Sequence, residues 1–311
     1  MGLSTRDVLD IPSLSDGDIR LILDTAQKMK EISKRPVKKV PTLRGKTIVN
    51  FFYEPSTRTK VSFDLAAKRL SADAVSISAG SSSIVKGETL IDTVRNLEVM
   101  QPDVIVIRHS SAGAPHLVAR HVGVPVINAG DGMHAHPTQA LLDMMTVMEK
   151  KGDIRGLRLA IIGDIARSRV ARSNMEGFTR MGASVVVAAP PTMIPRGIEA
   201  FDVDVTHNME AAIADADVIM MLRIQNERKA AFLFSTPREY AKVYGLNAAK
   251  LKNARSDVLI MHPGPLNRGV EISPDVADGE FSLILDQVEN GVAVRMALFF
   301  LMMGGQRHAE D

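Results

Sequence analysis

Short apolar runs alternate with helix-period segments along almost the whole chain, and the alternation starts afresh at mid-length. Residues 46–52 read as a strand and 59–70 as a helix. A short strand at 74–77, a helix at 88–100, a strand at 103–107, a helix at 113–121 and a strand at 124–128 follow. Runs such as Val104-Ile-Val-Ile107 are apolar at successive positions, the pattern of strands buried on both faces. A chain that repeats strand and helix in this way folds as a parallel, doubly wound sheet. An amphipathic helix precedes them at 13–33, with Ser15 as its N-cap and Ile19, Ile22, Leu23, Ala26 and Met29 on one face.

After a helix at 136–150, Lys151-Gly-Asp-Ile-Arg-Gly156 interrupts the pattern. Strands at 157–162, 184–188, 217–221 and 257–261 then alternate with helices at 168–181, 208–214 and 237–252. A long apolar helix at 282–303 closes the chain. The expected architecture is α/β, with two doubly wound parallel-sheet domains. The first covers residues 1–137 plus a returning C-terminal helix at 288–311, and the second covers 150–287. A chain of 311 residues supports two such cores.

Ligands of open α/β sheets gather at the carboxyl ends of strands, and here those ends are polar. The first strand runs into Glu54-Pro-Ser56-Thr57-Arg58-Thr59, where a helix begins. A helix N-terminus offers unpaired N–H groups and partial positive charge, hydroxyls add donors, and arginine adds a charged fork. A cap would account for Ser56 or Thr57 alone, but not for Arg58 and Thr59 as well, so the stretch reads as an anion site. Other strand ends carry Arg108-His109, Gly130-Asp-Gly-Met-His-Ala-His136-Pro-Thr-Gln139, Gly163-Asp164 with Arg167 and Arg169, Arg223-Ile-Gln225, and His262-Pro-Gly264-Pro265. Arg58, Arg108, Arg169 and Arg223 together match a phosphate and at least one carboxylate. Residues 78–88, rich in serine and ending in Lys86-Gly-Glu, form a small-residue loop of the kind that closes on ligands.

Several chemistries are disfavoured. The chain contains no cysteine, which removes disulfides, thiolate metal sites and a cysteine nucleophile. His134 and His136 stand two apart with no third metal ligand at usual spacing. Gly163-Asp164 lacks the later glycines of a dinucleotide fingerprint, and no triphosphate-binding loop occurs. Ser83-Ile-Val-Lys86 fits a serine acyl-enzyme tetrad without its companion motifs. A net charge of +2 implies no general nucleic-acid binding. Neither a signal peptide nor a membrane span is expected, so a cytoplasmic location is expected.

Taken in order, Tyr53-Glu-Pro-Ser-Thr-Arg-Thr59, Lys86-Gly-Glu88, Arg108-His109, Asn128-Ala-Gly-Asp-Gly132 with His136-Pro-Thr-Gln139, Arg223-x-Gln-x-Glu-Arg228 and His262-Pro-Gly-Pro265 resemble the catalytic chains of aspartate carbamoyltransferases, over essentially the full length. The resemblance implies two such domains joined by interdomain helices. It implies carbamoyl transfer from carbamoyl phosphate to the amine of L-aspartate, an early step of pyrimidine biosynthesis, without metal or cofactor. Ser56, Thr57, Arg58 and Thr59 would hold the phosphate. Arg108, His136 and Thr59 would polarise the carbonyl oxygen, and Gln139 with the Pro265 carbonyl beside Gly264 would hold the carbamoyl NH₂. Arg169, Arg223 and Gln225 would bind the aspartate carboxylates. Ser82 and Lys86 would come from a neighbouring subunit of a homotrimer, and Glu54 would pair with Arg169 and Arg228 on closure.

The resemblance leaves room for regulatory chains or a dihydroorotase partner in a larger assembly, though no such domain is expected within these residues. Lys60 stands where many relatives carry arginine, and Gly264 where some carry leucine; neither change is expected to disturb the site. Ornithine carbamoyltransferase is the nearest rival. Its members typically carry a His-Cys-Leu-Pro motif, which His262-Pro-Gly-Pro265 replaces here. A non-catalytic subunit of the same fold would be expected to lose several of Arg58, Arg108, His136 and Lys86; all are present.

Overall fold

The computed structural model describes residues 2–78, 88–224 and 236–304. They fall into two compact units, Met1–Met145 with Glu289–Asp311, and Thr146–Val288.

In the first unit, β1 (Thr47–Phe52), β2 (Asp73–Ser78), β3 (Val104–His109) and β4 (Val126–Asp131) form one parallel sheet in the order β2-β1-β3-β4. Five consecutive residues of β1 and five of β3 are buried, as expected of central strands covered on both faces. Helices α2 (Thr57–Arg69), α3 (Leu90–Val99) and α4 (Ala114–Ala119) make the crossovers. Val49, Phe51, Ile105, Ile107 and Val126 of the sheet pack with Val94 and Leu97 of α3 and Val118 of α4. β2 is the more exposed edge. The opposite edge is covered by the N-terminal segment, where Val8 exchanges backbone hydrogen bonds with Val126 and Asn128.

Helix α1 (Asp16–Lys34) begins with a full capping box between Ser15 and Asp18 and buries the five apolar residues expected of its face. A register shift between Ile107 and His109 carries β4 on to Asp131, three residues beyond the strand end that the sequence suggests.

The second unit holds β5 (Arg158–Ile162), β6 (Ser184–Ala188), β7 (Asp204–Thr206), β8 (Val218–Met221) and β9 (Leu259–Met261), again all parallel, in the order β7-β6-β5-β8-β9. Helices α6 (Arg169–Arg180), α7 (Met209–Ile213), α8 (Pro237–Tyr244), α9 (Ala248–Leu251) and α10 (Pro274–Ala277) complete it. Chain passage between the units runs through α5 (Pro137–Lys151) and α11 (Ile284–Met303). Among the described residues, no helix is long and apolar enough to cross a membrane.

Each sheet grows first to one side of its opening strand and then to the other. This leaves a switch-point crevice between β1 and β3 in the first unit and between β5 and β8 in the second. The polar ends of β1, β3, β5 and β8 flank those two crevices, and those of β4 and β9 lie one strand further out.

Candidate active site

In the first unit, β1 passes through Tyr53, Glu54 and Pro55 into α2. Ser56 holds the N-cap position in an extended conformation, yet its hydroxyl makes no capping hydrogen bond. The helix therefore starts with its hydroxyl not committed to a cap, and no acidic residue lies in its first turn. Thr57 and Arg58 are exposed, and Thr59 is buried. The turn carries backbone N–H groups, three hydroxyls and a guanidinium, with no carboxylate in the first helical turn, the donor set that suits an anion. The helix is anchored from below. Asp64 accepts hydrogen bonds from Asn50 of β1 at 2.6 Å and from Ser76 of β2 at 2.7 Å. Lys60 reaches Ser78 at 3.1 Å, so the lysine in place of arginine has a partner of its own.

Arg108, near the end of β3, is buried beside this turn. Its Nη2 donates to Glu54 Oε1 at 2.8 Å and its Nη1 to the Ala129 carbonyl at 3.2 Å, while its own carbonyl accepts from Tyr53 N–H at 2.8 Å. Strands β1, β3 and β4 thus meet at one arginine.

His136 is presented by a tightly tied turn. Asp131 Oδ1 accepts from Asn128 Nδ2 at 2.9 Å and from Ala135 N–H at 3.0 Å, and Asn128 Oδ1 accepts from Gly130 N–H at 2.7 Å. Gly132 adopts φ +47°, where an added Cβ would stand 2.7 Å from the Ala112 nitrogen; only glycine fits. The turn delivers buried His136 to the start of α5, with its Nδ1 3.4 Å from Thr138 Oγ1. Gln139, in the first turn of α5, donates to the buried Asp143 at 2.9 Å.

Beneath these groups lies an arginine whose role the sequence did not reveal. Arg295 of α11 is buried, donates to Ser62 of α2 at 2.8 Å and to Thr138 of α5 at 3.4 Å, and stacks over Phe63 at 4.8 Å. Burial, and after it the nearby positive charge of Arg108, bring its pKa down to about 9, against an opposing pull from Asp143. The helix carrying the phosphate candidates and the helix carrying Gln139 are therefore pinned to one buried cation.

The second unit carries the remaining candidate residues. At the end of β5, Gly163 has φ +132°, and a Cβ there would stand 2.9 Å from that of Leu222. Buried Asp164 follows and pairs with Arg167 at 3.4 Å. Ser168 caps α6 through the Ala171 N–H at 3.0 Å, which puts Arg169 in the first helical position, nine-tenths buried. Arg223 follows the adjacent strand β8 and is half-buried.

The His262–Pro265 segment leaves β9 next in the sheet. His262 Nδ1 accepts from Gly264 N–H at 2.7 Å, so its proton is on Nε2, which donates to Glu271 at 3.2 Å. Both side chains are fully buried. Gly264 takes φ +63° ahead of a cis bond to Pro265. Asn267 closes this loop onto the end of β8, its Nδ2 donating to the Ile224 carbonyl at 3.0 Å. Arg169, Arg223, Gly264 and Pro265 thus lie at the carboxyl ends of three neighbouring strands, β5, β8 and β9.

Four of the expected residues, Ser82, Lys86, Gln225 and Arg228, lie outside the described residues. Within the first unit, Glu54 forms an ion pair with Arg108. Besides Arg295, the sequence reading passed over Asp131 and Asp143. Both are buried carboxylates in segments that it had otherwise singled out.

Two doubly wound parallel sheets, each with polar residues at its strand ends, define a class, and the chain belongs to the aspartate/ornithine carbamoyltransferase family. The family's carbamoyl-phosphate-binding domain matches residues 6–149, and its aspartate/ornithine-binding domain matches residues 155–302. The aspartate carbamoyltransferase catalytic subunit of Desulfosudis oleivorans is 78% identical over 311 residues, covering 100% of both chains. The solved ornithine carbamoyltransferase of Pyrococcus furiosus superposes with a TM-score of 0.87 at 34% identity, covering 98% of this chain and 99% of that one. The aspartate transcarbamoylase of Trypanosoma cruzi, solved with carbamoyl aspartate and phosphate, gives 0.85 at 29% identity over 94% of each chain. The backbone alone therefore does not separate the two activities.

Proposed function

We infer that this chain transfers a carbamoyl group from carbamoyl phosphate to the amine of L-aspartate, giving N-carbamoyl-L-aspartate and phosphate, an early step in making pyrimidines. The observation that carries this reading is the crevice between β1 and β3, where an uncapped helix start bearing Ser56, Thr57, Arg58 and Thr59 adjoins Arg108. Full-length likeness to an aspartate carbamoyltransferase catalytic subunit supports aspartate over ornithine as acceptor. So do Arg169 and Arg223, whose charges suit a dicarboxylate and would repel a cationic amino acid.

In the proposed mechanism Ser56 to Thr59 hold the phosphate. Arg108, Thr59 and His136 donate to the carbonyl oxygen as negative charge gathers on it, and Gln139 and the Pro265 carbonyl hold the carbamoyl NH₂. Arg169, Arg223 and Gln225 hold the aspartate carboxylates. The uncharged amine attacks the carbonyl carbon, the bond to the phosphate oxygen breaks, and the departing phosphate takes the amine proton. No strong protein base is needed. Positioning two mutually repelling anions supplies most of the acceleration, and the arginines make that approach tolerable.

The proposal extends to a cytoplasmic homotrimer in which Ser82 and Lys86 complete a neighbour's site. Glu54 would engage Arg169 and Arg228 during turnover. The name of the D. oleivorans relative, a catalytic subunit, favours association with further chains. An assay offering aspartate, ornithine and related amines with carbamoyl phosphate tests the central claim. Turnover with aspartate alone is expected; turnover with ornithine but not aspartate would overturn it.

A further inference from the structure

His116, Asp131 and His134 each offer a ligand atom, and these atoms all lie within 4.8 Å of one another. They come from two segments. His116 is on α4, Asp131 ends β4, and His134 is in the turn that leads to His136. The two imidazoles pack edge-on with centroids 5.5 Å apart, and His134 Nδ1 is 3.1 Å from Asp131 Oδ2. Two ligands of one tetrahedral ion with bonds of about 2.0–2.1 Å stand roughly 3.4 Å apart, so that pair is already near the required spacing.

His116 provides the second observation. Its Nε2 is held by Asp10 at 2.9 Å, while its Nδ1 is shielded from solvent and has no hydrogen-bond partner among the described residues. A carboxylate that takes the Nε2 proton's hydrogen bond leaves a lone pair on Nδ1 and fixes the ring, the arrangement found behind metal-ligating histidines. A shielded imidazole nitrogen with no partner otherwise carries a desolvation cost. The carboxylate of Asp131 is buried and oriented by Gly113 N–H at 2.6 Å and by Asn128, so little reorganisation is required for it to serve as a ligand.

We propose that His116 Nδ1, Asp131 and His134 form a binding site for a divalent transition-metal ion of the zinc type, with Asp10 orienting His116. Two imidazoles and one carboxylate suit Zn²⁺, Co²⁺ or Ni²⁺ rather than Mg²⁺ or Ca²⁺, which take all-oxygen sets. Water completes the coordination sphere. None of the three ligands is among the residues assigned to substrate, so the ion is not a participant in carbamoyl transfer. It would clamp α4 to the turn before α5 and stiffen the segment that presents His136.

The test uses the full chain without an affinity tag, stripped with chelator and titrated with Co²⁺ and Zn²⁺. Expected are one Co²⁺ per chain with visible ligand-field absorption, displacement by Zn²⁺, and a rise in Tm of a few degrees. His134→Gln and His116→Gln should each abolish the absorption and the shift, and Asp10→Asn should weaken binding about 10–100-fold. Circular dichroism of the metal-free variants checks that they are folded. Absence of stoichiometric binding to the wild type, or binding that survives in folded His116→Gln and His134→Gln, would overturn the site and leave an ordinary histidine–carboxylate network.

Discussion

Glu54 Oε1 accepts a 2.8 Å hydrogen bond from Nη2 of Arg108, linking the turn after β1 to the end of β3 across the switch point of the first sheet. Both side chains are largely withdrawn from water. Arg108 is therefore held in one orientation before any substrate arrives. In a crevice proposed to bind an anion, that orientation decides whether its guanidinium reaches a developing oxyanion.

Glu54→Ala is expected to lower kcat/KM for carbamoyl phosphate by about tenfold or more, roughly 1.4 kcal/mol, through lost positioning. Glu54→Gln keeps an acceptor and should lose less. Steady-state kinetics on both variants separates the readings: a group with no positioning role would give equal and small effects.

Arg58→Ala should reduce turnover by about 100- to 1000-fold, on the scale of losing one preorganised donor to a reacting anion, here the phosphate. Arg58 is exposed at the helix start, so Tm should hardly move. Unchanged turnover would remove the phosphate assignment. Mixing inactive Arg58→Ala chains with inactive Lys86→Ala chains, after proven subunit exchange, should restore part of the activity. No recovery would refute shared sites in a trimer.

In the second unit, Glu271 accepts from His262 Nε2 and from Asn267 N–H at 2.6 Å within a fully buried pocket. Glu271→Leu strands two donors and should destabilise that unit by about 2–6 kcal/mol, at roughly 1–3 kcal/mol for each unsatisfied group. The Pro265 carbonyl is set by the same loop, so kcat should fall at temperatures where the variant is still folded. Urea unfolding together with kinetics at low temperature would show both effects.

The architecture was legible because a strand buried on both faces reads as an unbroken apolar run. Val104–Ile107 does so, Thr47–Phe52 does so but for Asn50, and the helices between them keep their period. β7 was missed because Asp204–Thr206 is a three-residue edge strand with largely exposed side chains, which leaves no apolar signature. The candidate site was legible where its residues sit in one local run, as Ser56 to Thr59 do. It was illegible where a tertiary neighbour supplies the meaning. Arg295 is a lone arginine inside an apolar helix, and only Ser62, Phe63 and Thr138, packed around it, show what it does. Asp131 belonged to a glycine-rich turn until His116 arrived from α4.

Asp18 gives the pH prediction. Burial alone would raise its pKa, but hydrogen bonds from Ser4 and from Ser15, side chain and backbone in each case, outweigh that and bring it down to about 2. A carboxyl whose folded pKa lies below its unfolded value stabilises the fold while ionised. That contribution is complete above the unfolded value, near pH 4, and is lost as pH falls towards about 2. Asp18→Asn should therefore be less stable than wild type at pH 7, by about 1 kcal/mol for a helix start deprived of its capping box. The gap should narrow steadily between pH 4 and pH 2. Thermal unfolding of both proteins across that range is the measurement. A gap that stays constant with pH would mean that the charge of Asp18 has no part in holding the start of α1.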